Sequence, residues 1–506
     1  MEPLYFLVSW MVFPFYLTFL SWMYILRKIV FAYLNMRYHT KLIQLDSSDI
    51  NWAVGEKYHN LINIIMTINL KDSNDNIVTD IRTTINEKLI GYPNKYAKIL
   101  CSLNSFLGFP FLLRESVIAD DYITIIDIGQ TKFNSMKDLM FSYSYKPLPS
   151  DNKLLFEVIV VKATKEWKEA NDIKEYQVPM LIRINHVIAD GLSAMNLFAH
   201  TFGENDVKLE ESLKNIPKSP EWQKLPIFQY LQNLLYFYLV PGYLLVKNFR
   251  GELKSLTGQS YEGPMTSFRQ NVSYGTEKPG EGLVQKIKSM KKQIGDTSFS
   301  EIILTAISAS LYKYYQKALY KVPESISTAI VATKDLKPLT INGVPQLRNQ
   351  FGIVPVQMPI KLHTDSMLER LQGVKKFTRK LMKDPSELMI SNFITFNLLK
   401  FLPTPLIKRL LPLKGYATVI SNLPEFPKIV IFNGHVVEDA YFFTLQRDEM
   451  STGFAVVSYD SRVHLGFVGD VASVPSIEDC DGIVSEFFNT FDLLQKEIDK
   501  KRTNPL

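Results

Sequence analysis

Asn185-His186-Val187-Ile188-Ala189-Asp190-Gly191-Leu192-Ser193 stands between a strand-like run, Val178–Ile184, and a helical pattern, Ser193–Phe202. An apolar run of strand length that turns within a few residues into a helix is the repeating unit of α/β proteins. Asp190 suits the N-cap of the coming helix, and Gly191 allows a tight bend. His186 is therefore expected on a strand-to-helix turn, where side chains are presented to a cleft. With an unperturbed pKa of about 6.5, a neutral imidazole takes up a proton at cellular pH. An alcohol is a weak nucleophile until a base removes its proton as the bond to an acyl carbon forms. One histidine on a rigid turn meets that need without a covalent intermediate. A hydrogen-bonded core histidine ahead of a helix cap fits the same spacing, because HxxxDG is a short pattern.

Outward from the turn, the same alternation continues. Tyr122–Ile128 and Leu154–Val161 are largely apolar runs of strand length, and Asn94–Phe106 reads as a helix between strands. After about Ser267 a second α/β region begins with a helical pattern at Ser300–Gln316. Strand-like runs follow at Ala329–Ala332, Ile353–Ile360, Ile429–Phe432, Phe454–Tyr459 and Val463–Val468. A chain of 506 residues has room for such a two-lobed fold. The organisation expected is an N-terminal anchor at 1–45, a first lobe at 46–224, a hydrophobic crossover at 225–265 and a second lobe at 266–506.

The anchor rests on Pro3–Leu26, which carries no charged side chain. Roughly 20 apolar residues span a bilayer core as a helix. A cleaved signal peptide fits less well: the start lacks basic residues, the stretch is too long, and no small-residue cleavage site follows. Arg27, Lys28, Arg37 and Lys41 lie just after the run, so an uncleaved span should leave the body cytosolic and the N-terminus across the membrane. Leu225–Val246 is a second uncharged run, interrupted by Gln229, Gln232, Asn233 and Pro241-Gly242. It reads equally as a buried crossover or as a helix lying in a membrane. Leu388–Leu413 mixes apolar residues with Lys400, Lys408 and Arg409, which suits either a membrane surface or core with a solvated edge.

Composition excludes several classes. With 46% hydrophobic and 21% charged residues the chain is not disordered. A net charge of +6 without a basic block interleaved with aromatics excludes nucleic acid as the expected partner. It suits an anionic membrane or an anionic co-substrate. Two cysteines, Cys101 and Cys480, make no disulfide framework. His39, His59, His200, His363, His435 and His464 do not pair with Cys, Asp or Glu at metal-ligand spacing, so no metal is expected. There is no Gly-rich phosphate loop and no G-x-S-x-G elbow.

The segment at 185–193 resembles the HHxxxDG motif of the coenzyme A-dependent acyltransferase superfamily, and within it the wax ester synthase/diacylglycerol acyltransferase family. Further segments match in order: Pro147-Leu148 before the strand Leu154–Val161, the helix Ser300–Leu311, Asn349-Gln350-Phe351-Gly352 before a strand containing Pro359, Ser421-Asn422-Leu423-Pro424, and Gly453 through Ser458-Tyr459 and Gly466 to Asp470. The resemblance covers about residues 90 to 495. It implies two chloramphenicol-acetyltransferase-like α/β lobes with a central tunnel, in addition to the N-terminal transmembrane helix. His186 matches the catalytic histidine, Asp190 the aspartate that holds the turn, and Gly191 the glycine that lets substrate approach. Asn185 stands where the family often has a first histidine, and would meet the acyl donor by a hydrogen bond. Asn422 is the candidate donor to a developing oxyanion.

The activity implied is transfer of a fatty acyl group from acyl-CoA to a long-chain alcohol or diacylglycerol. Acyl-CoA is then a co-substrate and no cofactor is held. The membrane expected is the endoplasmic reticulum, where acyl-CoA and lipid alcohols meet. Two other readings stay open: a lipid-binding or transfer protein on the same fold, and a transferase for a non-lipid acceptor.

Overall fold

The computed structural model describes residues 3–503 apart from 55–59, 73–75, 145, 150–152, 205–224, 257–266, 268, 319–321, 333–336, 363, 384–385, 411–415 and 445–449. The boundaries expected at 224/225 and 265/266, together with His59 and His363, fall outside these residues. The strands are β1 (Leu42–Gln44), β2 (Leu61–Asn69), β3 (Cys101–Phe106), β4 (Phe109–Arg114), β5 (Ile123–Asp127), β6 (Phe156–Lys162), β7 (Gln177–Asn185) and β8 (Gln270–Thr276). There follow β9 (Ser325–Ala332), β10 (Thr340–Ile341), β11 (Val344–Pro345), β12 (Gly352–Pro359), β13 (Thr418–Phe426), β14 (Val430–Ile431), β15 (His435–Phe443), β16 (Thr452–Tyr459) and β17 (Arg462–Asp470).

Two six-stranded mixed sheets organise the molecule, in the orders β14-β15-β2-β7-β6-β5 and β12-β9-β13-β16-β17-β8. β7, which leads into the motif, is central in the first sheet, and its residues are buried on both faces, as the apolar run predicted. The two sheets do not divide the strands strictly by chain order. β14 and β15 come from the C-terminal half, yet β15 pairs with β2 from Phe443 opposite Asn63 to Val436 opposite Asn69. The two halves of the chain are thus stitched by a strand. The sheets also meet closely: a Cβ at Gly466 of β17 would lie 1.8 Å from the Phe442 carbonyl oxygen of β15, so only glycine fits. At the same junction the His464 Nε2 lies 2.9 Å from Asp439 Oδ1.

Asn94–Phe106 is not a helix. Turns lead to Leu100, and Cys101–Phe106 is a strand paired with β4 across Leu107-Gly108. Ser102, Asn104 and Ser105 are indifferent helix formers, and the turn dipeptide supplies the hairpin. Ser421–Pro424 lies within β13 rather than in a loop. Pro424 donates no hydrogen bond, and the register against β16 shifts between Leu423 and Glu425.

Pro3–Tyr38 is one continuous helix. Its inner stripe (Tyr5, Val8, Ser9, Phe13, Tyr16, Leu20, Met23, then Val30, Phe31 and Leu34) repeats at helical spacing and faces protein along the whole length. The crossover Pro226–Leu256 is also one helix, despite Pro241. It runs antiparallel to the first, with Tyr243 beside Tyr5 and Phe237 beside Phe13 and Tyr16. Gly242 makes the close approach possible: a Cβ there would sit 2.2 Å from the Tyr5 carbonyl oxygen, and its N–H donates to Ser9 Oγ at 3.0 Å. The polar break that argued against a clean span is thus a helix–helix contact.

Candidate functional site

β7 ends at Asn185, whose N–H donates to the Leu155 carbonyl at 2.8 Å. The Asn185 side-chain oxygen then accepts the Val187 N–H at 3.0 Å, and its backbone carbonyl accepts the Ile188 N–H at 3.0 Å. An asparagine in this role closes the turn by itself. His186 follows with both backbone groups engaged. Its N–H donates to the Asn60 carbonyl at 2.7 Å, and its carbonyl accepts the Asn349 amide at 2.9 Å. The imidazole is stacked on Trp52 with ring centres 3.9 Å apart and 18° between planes. Phe351 meets it at 5.5 Å and 60°. His186 is 6% exposed.

Trp52 belongs to a short helix, Ser47–Ala53, immediately after the N-terminal helix and β1. The Asn60 amide donates to the Trp52 carbonyl at 2.6 Å, so one asparagine fixes both stacked residues. From the same helix comes the buried Asp49. Its Oδ2 pairs with Lys98 Nζ at 2.5 Å, and its Oδ1 accepts the Asn349 amide at 2.9 Å. Burial pushes the Asp49 carboxyl above the usual range, against the opposing pull of Lys98 and the Asn349 hydrogen bond.

Asp190 caps the motif helix, Gly191–Phe202, by accepting the Ser193 N–H at 2.8 Å. Its other oxygen accepts the Gln350 N–H at 2.8 Å, and its own N–H donates to the Arg348 carbonyl at 3.2 Å. Burial raises this carboxyl too, and the two backbone N–H groups resist the rise. The five residues Leu347–Phe351, which run into edge strand β12, all clamp the turn or its support: the Leu347 carbonyl on Lys98, Arg348 and Gln350 on Asp190, Asn349 on His186 and Asp49, and Phe351 on the ring. The Asn-x-Phe-Gly segment noticed in the sequence is therefore the second lobe's grip on the motif.

Gly191 faces β13: a Cβ there would be in ordinary contact with Leu423 at 3.7 Å. Asn422, on the preceding position, donates to Ser300 Oγ at 3.0 Å. The structure thus brings His186, Asp190, Gly191 and Leu423 together, with Asn185 as the brace, and joins Asn422 to Ser300. Sequence reasoning missed Trp52, Asp49, Asn60 and Lys98. They lie 88 to 137 positions before His186, in a stretch with no motif.

His435 and His464 are tied into strands instead: the Lys71 N–H donates to His435 Nδ1 at 3.1 Å, and His464 meets Asp439. Among the described residues no three or more His, Cys, Asp or Glu side chains gather as a metal site. A small apolar cavity of about 10 Å³ lies under the motif helix, lined by Ile64, Leu89, Phe156, Ile184, Phe198 and Phe202 among others. His186 is not part of its lining.

Residues 347–495 match the family described as the WS/DGAT C-terminal domain. Among solved structures the chain is similar to a wax ester synthase/diacylglycerol acyltransferase from Marinobacter aquaeolei, at 15% identity and a TM-score of 0.57, over 90% of this chain and 100% of that one. It is similar to the trichothecene 15-O-acetyltransferase from Fusarium sporotrichioides, at 13% identity and a TM-score of 0.57, over 88% and 95%. It is also similar to the first condensation domain of the calcium-dependent antibiotic synthetase, at 11% identity and a TM-score of 0.53, over 90% and 97%. No curated protein sequence matches. At these identities the structural likeness establishes a shared mixed α/β fold.

Proposed function

We propose, from the match of residues 347–495 to the WS/DGAT C-terminal domain, that the chain is a membrane-bound O-acyltransferase of the wax ester synthase/diacylglycerol acyltransferase family, moving a fatty acyl group from acyl-CoA to a long-chain alcohol or diacylglycerol, with His186 as general base. The observation that carries this reading is the clamp on His186. Both backbone groups and the ring plane are fixed by residues from both lobes, which is how a base is held for a reaction at a lobe interface.

In the proposed step the neutral imidazole takes the hydroxyl proton as the alcohol oxygen bonds to the thioester carbonyl carbon. The tetrahedral adduct expels the coenzyme A sulfur, which receives the proton from the imidazolium. Ester and free thiol leave. Asp190 and Gly191 shape the turn and transfer no proton. An oxyanion role for Asn422 requires its bond to Ser300 to break. Asn185 already spends its side-chain oxygen on the turn, so any contact with the acyl donor falls to its Nδ2. Acyl-CoA is substrate, and no resident cofactor is invoked. The place of action is the cytosolic face of the endoplasmic reticulum.

The proposed tunnel opens between the lobes. In this conformation Trp52 and Phe351 cover the ring, so donor and acceptor meet His186 when these covers part. The test uses labelled palmitoyl-CoA with a fatty alcohol, a diacylglycerol and a small alcohol, and identifies the products. His186→Ala should lower kcat by roughly two to four orders of magnitude. Turnover unchanged in that variant removes the mechanism. Lipid binding without acyl-CoA consumption in the unaltered protein would favour the lipid-transfer reading.

A further inference from the structure

The N-terminal helix of 36 residues is about 54 Å long. Both of its ends rest on the catalytic body. The Tyr5 hydroxyl donates to Glu387 at 2.8 Å, and Lys247 pairs with the same carboxylate at 2.5 Å. At the other end Val30, Phe31 and Leu34 pack on Phe109 and Phe111, and Tyr24 meets Phe401 at 5.9 Å. From Tyr5 to Leu34 is about 43 Å, more than the hydrocarbon thickness of about 30 Å. A helix crossing the bilayer with Tyr5 on the far side would have to drag Glu387 and its surroundings through the core. These contacts argue against the topology expected from the charges alone.

The outer side of this helix is apolar and open. Trp10 is 73% exposed, Phe15 77% and Trp22 65%. Beside it the first half of the crossover helix exposes Ile227 and Tyr230. A third element joins them. The tip of the β3–β4 hairpin presents Phe106, stacked on Tyr33 at 5.3 Å, and Leu107, which is 64% exposed. Leu107 holds a φ of 50°, a strained conformation for a leucine, while its side chain stays largely exposed.

The charges carried by the two helices along this face are of one sign. No Asp or Glu lies in 3–38 or 226–249, while Lys28, Arg37 and Lys41 are exposed at the end nearer the hairpin, with Lys408 and Arg409 on the short helix Thr404–Leu410 next to its tip. Gly108 at that tip packs against Pro403 and Pro405. An apolar strip with Trp and Tyr and a basic border is complementary to an anionic lipid leaflet.

We infer that the N-terminal helix lies in the plane of one leaflet and does not cross it. The N-terminal helix, the first half of the crossover helix and the Phe106–Leu107 tip form a single face that is seated in an anionic bilayer. The inference rests on the membrane part of the proposed function and is independent of His186.

The full chain is carried into sealed microsomes with an epitope tag at each terminus and treated with protease from outside. In-plane seating predicts that both tags are digested together; a protected N-terminal tag overturns it. The purified chain is then floated with phosphatidylcholine vesicles, with and without phosphatidylserine. Binding should be stronger with the anionic lipid and fall with salt. Leu107→Asp and Trp10→Asp should each weaken partitioning by roughly ten-fold or more. Flotation of Leu107→Asp equal to the unaltered chain overturns the hairpin's part. Absence of vesicle binding together with a stable dimer would assign the face to a second copy and overturn the proposal. Turnover of the two variants in detergent tests the acyltransferase reading separately, since neither residue touches His186.

Discussion

Around His186, groups that water would solvate are held dry: Asp49, Asp190, Asn349 and Asn60 are all buried. Along the outer side of the N-terminal helix, Trp10, Phe15 and Trp22 lie open to the surroundings. The two regions invert the ordinary distribution of side chains in opposite directions. The first inversion is tolerated because both carboxylates and the amide N–H groups there have partners within the protein, while the Asn60 and Asn349 side-chain oxygens are left without a hydrogen bond among the described residues. The second is open to an external answer, which on the inference above is lipid. The comparison teaches that the site is held by its internal partners and the face by its surroundings. Substitutions should therefore act on folding in the first region and on partitioning in the second.

The sharpest way to break the comparison is to leave one partner alone in the dry region. Asp49→Ala leaves the Lys98 ammonium with the Leu347 carbonyl but no counter-charge, and removes one bond of the Asn349 amide. Breaking a buried pair costs about 3–5 kcal/mol, and Lys98, whose side chain is 16% exposed, places the loss nearer the lower figure. Chemical denaturation in detergent should show it. Asp49→Asn, which keeps an acceptor for Asn349, should lose less. Next in size is Asp190→Ala, which removes a helix cap worth about 1 kcal/mol and leaves the Gln350 N–H without its acceptor at a similar or larger cost. Because Asp190 ties the motif to residues 348–350, this variant should also lose turnover with His186 intact. Equal kcat in the folded variant would show that the clamp is not needed for positioning.

A smaller effect sits at the junction of the sheets. Burial works against the charge of Asp439, but the His464 ring and the Arg462 guanidinium together hold its carboxyl below the usual range. A carboxyl lowered by folding stabilises the native state above its unfolded pKa, and that stability is lost as pH falls through the folded value. The window is therefore below about pH 4. Asp439→Asn should lower stability by roughly 1 kcal/mol at neutral pH and flatten the acid limb. Denaturation midpoints at pH 7 and pH 3 test this: an unchanged difference between the two would remove Asp439 from the acid response.

Much of the first region was legible. The turn at 185–193 carries its signals locally, in an apolar run, a cap and a glycine, so β7, the bend and the helix stand where the sequence placed them. The clamp was half legible: Asn349–Gly352 stood out as a segment, but nothing in its residues said that it grips Asp190. Trp52 and Asp49 were invisible because stacking and ion pairing across such distances leave no periodic trace. β15 was beyond reach for the same reason, pairing with β2 across more than 360 positions. The apolarity of the N-terminal helix was plain, yet composition cannot tell a helix surrounded by lipid from one with lipid on one side. That difference lies in the stripe from Tyr5 to Leu34, whose partners are scattered over the whole chain.

The smallest expected effect is the one that separates the two regions most clearly. Phe15→Ser removes a large apolar side chain that is 77% exposed and leaves the inner stripe untouched. Surface changes of this kind alter folding stability by about 0.5 kcal/mol or less, against the 3 kcal/mol expected at Asp49. In detergent, the melting curve of Phe15→Ser should therefore overlie that of the unaltered protein, while its affinity for anionic vesicles falls. A substantial loss of stability in detergent would mean that Phe15 contributes to the fold itself. The outer side of the N-terminal helix would then be an extension of the core, and the division drawn between an internally bonded site and a lipid-facing surface would fail at its edge.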